Sequence, residues 1–297
     1  MEFRTIVDIP EPGFRIGPCE EMLFVGSCFA TEIGRRFQEE QFRVTVNPFG
    51  VMYNPASILH TIQRLATQRD GSFVTSASDV TKEPSLCVAF LTLGTNHIYR
   101  LKETGEIVDN CQKRPQSLFT EEVLSVDECA DYLRQAIDSL RQMNPEMRIV
   151  LTVSPIRYRK YGYHGSQLSK ATLLLAVEKI LGNPRKFLGH PRDILGDPRL
   201  AYFPAYEIIN DELRDYRFYQ EDMLHPSQQA VDYIWERLVE TYFSAEAKTF
   251  LEEWCPIKQA LNHKPFDPES DEYRRFQEQT MLRLKALQEK YPALKEI

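Results

Sequence analysis

Two short stretches, far apart in the chain, carry the residue types of acyl-transfer chemistry. Gly26-Ser27-Cys28 closes the apolar run Met22–Val25 and opens a segment of helical periodicity. A serine at a strand-to-helix junction holds its hydroxyl at the positive end of the helix dipole, among backbone N–H groups that can meet an oxyanion. Gly26 in front of it permits a tight turn and close approach of a substrate. The second stretch is Asp222-Met223-Leu224-His225-Pro226. Three positions apart on a loop that enters a helix at Pro226, the Asp222 carboxylate can reach Nδ1 of His225. That leaves Nε2 free to take a proton from a serine. Each stretch also has an ordinary reading, as an N-cap serine and as a helix-start acid beside a surface histidine. Together, in the order Ser, Asp, His, they fit a nucleophile, its orienting acid and its base.

Other residues compete less well. Cys28 could pair with a histidine, but it lies one position inside the helix and is expected to face away when Ser27 faces the base. His60, His97, His164, His190 and His263 have no metal-ligand spacing with Cys, Asp or Glu, so no metal is expected. Arg157, Arg159 and Lys160 follow the strand end Ser154-Pro155 and could hold an anionic substrate; a solvated loop is the plainer reading. Neither a GxGxxG nor a Walker loop occurs. The 6 cysteines are scattered without a CxxC pair and read as reduced thiols.

The elements that must position these residues follow from periodicity. Phe29, Ile33 and Phe37 form one helical stripe, Phe42, Val44 and Val46 alternate as a strand, and Ile58 to Leu65 outline a second helix. Residues 86–93 are an apolar strand closed by Gly94-Thr95-Asn96, and His97–Val108 reads as a hairpin around Glu103-Thr104-Gly105-Glu106. Ser125 and Glu128 form a capping box before a helix through Leu140. Arg148–Val153 is a further buried strand and 168–182 a helix stopped by Gly182. Tyr202-Phe203 and Tyr206–Ile209 give a broken strand signal, and a last domain helix starts at Pro226. Apolar strands alternating with helices indicate a mostly parallel sheet covered on both faces. From about residue 245 the chain is rich in Glu, Lys and Arg. Tyr273, Phe276, Thr280, Leu284, Leu287 and Tyr291 keep a spacing of 3–4 there. This extension, 246–297, reads first as a helical arm on a domain of residues 1–245 and second as a homodimer contact.

Composition narrows the classes. The chain has 297 residues, 42% hydrophobic and 27% charged, with a net charge of −7, the profile of a well-cored globular protein. The acidic balance argues against a nucleic-acid partner. No apolar run approaches the roughly 18 residues of a membrane span, and the N-terminus lacks the apolar core of a signal peptide. A cytoplasmic protein without a membrane partner is expected.

The stretch Phe24-Val25-Gly26-Ser27-Cys28-Phe29-Ala30 contains the GSCFA string and resembles the GSCFA family, a branch similar to the SGNH (GDSL-like) hydrolases. Further segments resemble it in the same order: Asn47-Pro48-Phe49-Gly50, Tyr53-Asn54-Pro55, Leu93-Gly94-Thr95, Asn110-Cys111, Thr152-Val153-Ser154-Pro155, Ser169-Lys170 and the run 202–227. They span residues 20–245. The resemblance implies a three-layer α/β/α sandwich around a parallel sheet of about five strands. It implies Ser27 as nucleophile, His225 as base and Asp222 as its orienting acid, with Cys28 standing where an acid or leucine is usual. It also implies an oxyanion hole of the Ser27 N–H, a glycine N–H, for which Gly50 is the candidate, and an asparagine side chain. Asn96 resembles the asparagine of the GxND block, although His97 follows it in place of Asp; Asn110 is the competing donor. The expected activity is ester hydrolysis, of an O-acyl or O-acetyl group on a carbohydrate-like or other small substrate, with no cofactor. An acyltransferase using the same triad and a non-catalytic carbohydrate-binding module on the same fold are the alternatives.

Overall fold

The apolar runs become the strands of one parallel sheet in the computed structural model, which describes residues 4–71, 86–111, 114–182 and 196–294. The strands are β1 (Glu21–Gly26), β2 (Arg43–Val46), β3 (Leu86–Leu93), β4 (His97–Leu101), β5 (Phe119–Val123), β6 (Arg148–Val153) and β7 (Leu200–Tyr202). The helices are α1 (Cys28–Glu39), α2 (Pro55–Gly71), α3 (Val126–Met143), α4 (Gly162–Leu181), α5 (Ala205–Glu207), α6 (Gln228–Tyr242), α7 (Ala245–Leu261) and α8 (Asp271–Lys290). Five strands pair in the order β2-β1-β3-β6-β7, every neighbour parallel. The chain steps from β1 outward to β2, then returns past β1 to β3. That reversal leaves a crevice beyond the carboxyl ends of β1 and β3, the place where open α/β sheets bind ligands.

Strand side chains alternate between two cores. Met22 and Phe24 of β1, with Val88 and Phe90 of β3, face a layer of α1, α6, α7 and α8. Leu23 and Val25, with Ala89 and Leu91, face α2, α3 and α4. Phe24 and Phe90 lie opposite one another in register and stack at 4.6 Å. Each such buried side chain contributes about 1.5–3 kcal/mol. The result is the expected α/β/α sandwich. No helix among the described residues is long and apolar enough to cross a membrane.

Two local readings need correction, and the hairpin gains a further strand. The strand His97–Leu101 pairs antiparallel with Phe119–Val123, in the register His97↔Val123 to Leu101↔Phe119. It also folds back on the segment after Gly105 as expected, with the Leu101 N–H on the Glu106 carbonyl at 2.9 Å and the Val108 N–H on the Tyr99 carbonyl at 2.7 Å. That segment makes one isolated bridge, Arg100↔Ile107. The partner strand, FTEEV, has only Phe119 buried, so it carries no apolar alternation to betray it. Residues after Tyr202 do not resume a strand: Pro204 caps α5, which runs on into a π-turn at Ile208–Glu212. The last domain helix begins at Gln228, two positions past Pro226, where the Ser227 side chain accepts the N–H of Ala230. The C-terminal extension lies on its own domain. Phe250, Trp254 and Ile257 of α7, with Leu284 and Leu287 of α8, join the core of Phe37, Phe42 and Phe243.

Candidate active site

The turn that delivers Ser27 depends on Gly26. Gly26 has φ +147°, and a Cβ there would lie 2.1 Å from the Thr92 carbonyl oxygen of the adjacent strand. Its N–H is held at 2.9 Å by Oδ1 of Asn47 and its carbonyl accepts the Met52 N–H. Gly26→Ala is therefore expected to be severely destabilising, with backbone strain alone costing about 1–3 kcal/mol and the clash with Thr92 more. A urea titration of the variant should show a markedly lower midpoint, and a wild-type midpoint would refute the account.

Ser27 is the N-cap of α1, yet its side chain makes no capping bond. The serines that cap α3, α6, α7 and α8 all accept a first-turn N–H. The Ser27 hydroxyl instead donates to Oγ of Ser154 at 2.9 Å, across the sheet at the end of β6. Released from capping, a hydroxyl at the positive end of a helix is in position for chemistry. Cys28 turns elsewhere: its sulfur lies 3.9 Å from the Tyr53 hydroxyl. Burial, and then Cys28, push the Tyr53 phenol up to about 12.

The Asp222–His225 pair is formed. Nδ1 of His225 lies 2.6 Å from Oδ2 of Asp222, while Oδ1 accepts the N–H groups of Leu224 and His225 at 2.8 and 3.0 Å. These bonds, the His225 N–H foremost, hold the Asp222 carboxyl down to about 2. The turn places Met223 at φ +59° and is clamped by the loop leaving β6. Arg157 donates its N–H to the Leu224 carbonyl at 3.1 Å and its guanidinium to the Met223 carbonyl at 3.1 Å. One loop thus touches Ser27 at Ser154 and the Asp222–His225 turn three residues later. The structure shows no hydrogen bond from His225 to Ser27, whose hydroxyl hydrogen points to Ser154. Arg157 and Lys160, read as loop charges open to an anion, are engaged: Arg157 on this turn, and Lys160 with Glu121 at 3.2 Å.

The expected oxyanion donors are engaged as well. The Ser27 N–H bonds the Thr92 carbonyl at 3.2 Å, and the Gly50 N–H closes a turn on Asn47 at 2.8 Å. Asn96 is buried, but its amide donates to the Leu124 carbonyl at 2.7 Å and so ties β3 to the strand–helix corner before α3. Asn110 is exposed, next to Asp109, which binds Nδ1 of His60 at 2.8 Å. For Ser27, Gly50 and Asn96 the reason is the same: a backbone or amide donor in a tight corner bonds the nearest carbonyl. His97 stacks on Tyr161 at 3.6 Å, and His190 lies outside the described residues. All 6 cysteines are free. Among the described residues no group of three or more His, Cys, Asp or Glu side chains could hold a metal ion.

Two residues at this site carry no role in the sequence reading, although both sit in segments that carry the resemblance. One is Ser154, partner of the Ser27 hydroxyl. The other is Lys170, buried beneath the strand ends, whose Nζ donates to the carbonyls of Gly94 and Ser154.

A parallel α/β/α sandwich with a serine released at the first strand end, and an oriented Asp–His pair on a neighbouring loop, defines a class of fold and site. The GSCFA family profile matches residues 21–86 and 72–238, and the GSCFA domain protein C-terminal domain matches residues 254–295. The chain belongs to the GSCFA family. No curated protein matches it. Among solved structures it is similar to a family 3 carbohydrate esterase of Clostridium thermocellum, at 13% identity and TM-score 0.39, over 74% of this chain and 95% of that one. A carbohydrate esterase family 3 of Talaromyces cellulolyticus matches at 8% and 0.37, over 79% and 99%. A mutant acetyl esterase with acetate ion matches at 9% and 0.36, over 82% and 100%. At these values no residue role is carried across from them.

Proposed function

We propose that the protein is a serine hydrolase of SGNH type that cleaves an ester, an O-acyl or O-acetyl group on a small or carbohydrate-like substrate. The observation that carries this reading is the Ser27 hydroxyl, turned away from its helix and joined through one loop to an oriented Asp222–His225 pair. In the reaction, Nε2 of His225 takes the Ser27 proton as Oγ attacks the ester carbonyl. The same imidazole then gives that proton to the leaving alkoxide, and an acyl-Ser27 forms. Water, deprotonated by His225, attacks the acyl-enzyme; the acyl–Oγ bond breaks, the imidazolium returns the proton to Ser27 Oγ and the acid leaves. Asp222 remains a carboxylate throughout and holds the imidazole in one tautomer. With the Ser27 and Gly50 N–H groups engaged, the N–H groups of Cys28 and Phe29 meet the oxyanion. They lie in the first turn of α1, where an α-helix has no partner of its own for them.

The test is labelling with a fluorophosphonate probe followed by peptide mapping. A single adduct on Ser27, lost in Ser27→Ala and retained after alkylation of Cys28 with iodoacetamide, is expected. An adduct on any other residue, or no adduct, rejects the reading.

A further inference from the structure

Lys170 has no part in the triad, yet its placement is costly. It is 2% exposed, and lysine is almost never fully buried without a partner of opposite charge. Its Nζ reaches two main-chain carbonyls, those of Gly94 and Ser154, each at 2.8 Å. From α5 the ring of Tyr206 faces it at 5.9 Å. Burial pushes the ammonium down to about 7. A methionine would fill the same space without desolvating an amine, so the amine supplies something a hydrocarbon cannot. Gly94 and Ser154 are the first residues beyond β3 and β6, and one nitrogen joins the ends of two adjacent strands. Ser169, its neighbour on α4, holds the same corner by accepting the Asn96 N–H at 3.0 Å.

Ser154 hangs from that junction with every surrounding bond directed. Its N–H donates to the Leu93 carbonyl at 2.8 Å and its carbonyl accepts from Lys170. Its Oγ accepts the Ile156 N–H at 3.3 Å and the Ser27 hydroxyl at 2.9 Å. It is fully buried. The rotamer of Ser27 is therefore set by Ser154, and the place of Ser154 by Lys170.

We propose that Lys170 and Ser154 form a buried positioning pair for the Ser27 nucleophile, Lys170 locking the ends of β3 and β6 together and Ser154 holding the Ser27 oxygen from that lock. The inference rests on Ser27 being the nucleophile. No bond to Ser154 is made or broken. When the Ser27 proton turns toward His225, the Ser154 hydroxyl rotates and donates its own hydrogen to the Ser27 oxygen, since a hydroxyl both gives and accepts. The oxygen then keeps one donor as negative charge builds on it.

The experiment compares full-length wild type, Ser154→Ala, Lys170→Met and the double variant. It measures kcat and KM on 4-nitrophenyl acetate, the rate of fluorophosphonate labelling of Ser27, and Tm. Ser154→Ala is expected to lower kcat and the labelling rate together by about 10–100-fold, the scale of a misplaced reacting group, with KM and Tm nearly unchanged. Lys170→Met should act in the same direction. The double variant should be no worse than the poorer single one, because the lysine acts through the serine. If Lys170→Met does not fold, Ser154→Ala decides alone, since it leaves both lysine bonds to main-chain carbonyls in place. Wild-type labelling at Ser27 with both single variants within twofold of wild type overturns the inference and leaves the hydrolase reading standing. Losses that multiply in the double variant also overturn it. A wild type that never labels at Ser27 overturns the hydrolase reading, and the inference with it.

Discussion

Ser27→Ala is expected to abolish turnover of short-chain acyl esters, a loss on the order of 10⁴-fold or more in kcat, with Tm almost unchanged. The activity falls because the acyl-enzyme needs an oxygen at the end of β1, and no neighbouring side chain can substitute for it. Cys28 is one residue into α1 with its sulfur beside Tyr53, and the Ser154 hydroxyl is fully buried. Stability should survive because the hydroxyl makes no cap bond to α1. Its removal leaves Ser154 still bonded to the Ile156 N–H. Hydrolysis of 4-nitrophenyl acetate by the purified variant, alongside a thermal melt, checks both halves. A variant retaining a tenth of wild-type kcat would remove Ser27 from the mechanism.

His225→Ala should cost about as much as Ser27→Ala, and the two together little more, because members of one catalytic unit are not additive. Asp222→Asn should cost roughly 100-fold less, as orienting acids do. It removes a charge and favours the wrong tautomer while nucleophile and base remain. The acid's own titration supplies a separate check. Its folded value is held to about 2 by the N–H groups of His225 and Leu224 and by the imidazole, below the roughly 3.9 of a free aspartate. A depressed carboxyl stabilises the fold above its unfolded value and loses that contribution as pH falls through the folded one. The part of the stability difference between wild type and Asp222→Asn that comes from this carboxyl is therefore fully present above about pH 5. It should shrink below about 4 and vanish near 2. The effect is small, because Asp222 is exposed and solvent screens it. Urea midpoints for both proteins between pH 2 and 5 measure it, and a difference that does not shrink below pH 4 would show that the carboxyl is not held down in the fold. Over the neutral range, any acid limb in kcat/KM belongs to a group other than Asp222.

The chemistry legible in the chain is the chemistry made within a few residues. An apolar run ending in Gly26-Ser27 needs only strand and helix periodicity to put a serine at a strand end. The Asp222–His225 bond needs only the geometry of one turn, and the capping box at Ser125 and Glu128 formed as its spacing indicates. The central strands β1, β3 and β6 were legible for a related reason: burial on both faces makes them continuous apolar runs that announce themselves without a partner. The edge strand β2 showed only as an alternation and β7 only at Tyr202. The strand Phe119–Val123 lies outside the main sheet with one buried residue, and periodicity passes over it.

What the tertiary structure decided is which groups meet across the sheet. Ser27 and Ser154 are 127 positions apart, and only the adjacency of β1, β3 and β6 brings their hydroxyls together. Gly50 and Asn96 have the right residue types for an oxyanion hole, and in the fold the Gly50 N–H meets the Asn47 carbonyl and the Asn96 amide the Leu124 carbonyl, partners that no spacing discloses. Arg157 reads as a loop charge until the Asp222–His225 turn is seen packed on it. Lys170 and Lys179 lie on the same helix, yet only Lys170 turns its ammonium inward. The reason is physical. Turns and helices are fixed by bonds between near neighbours, whereas the partner of a buried polar group is whichever donor or acceptor the packed strands leave beside it, and burial obliges the group to take it.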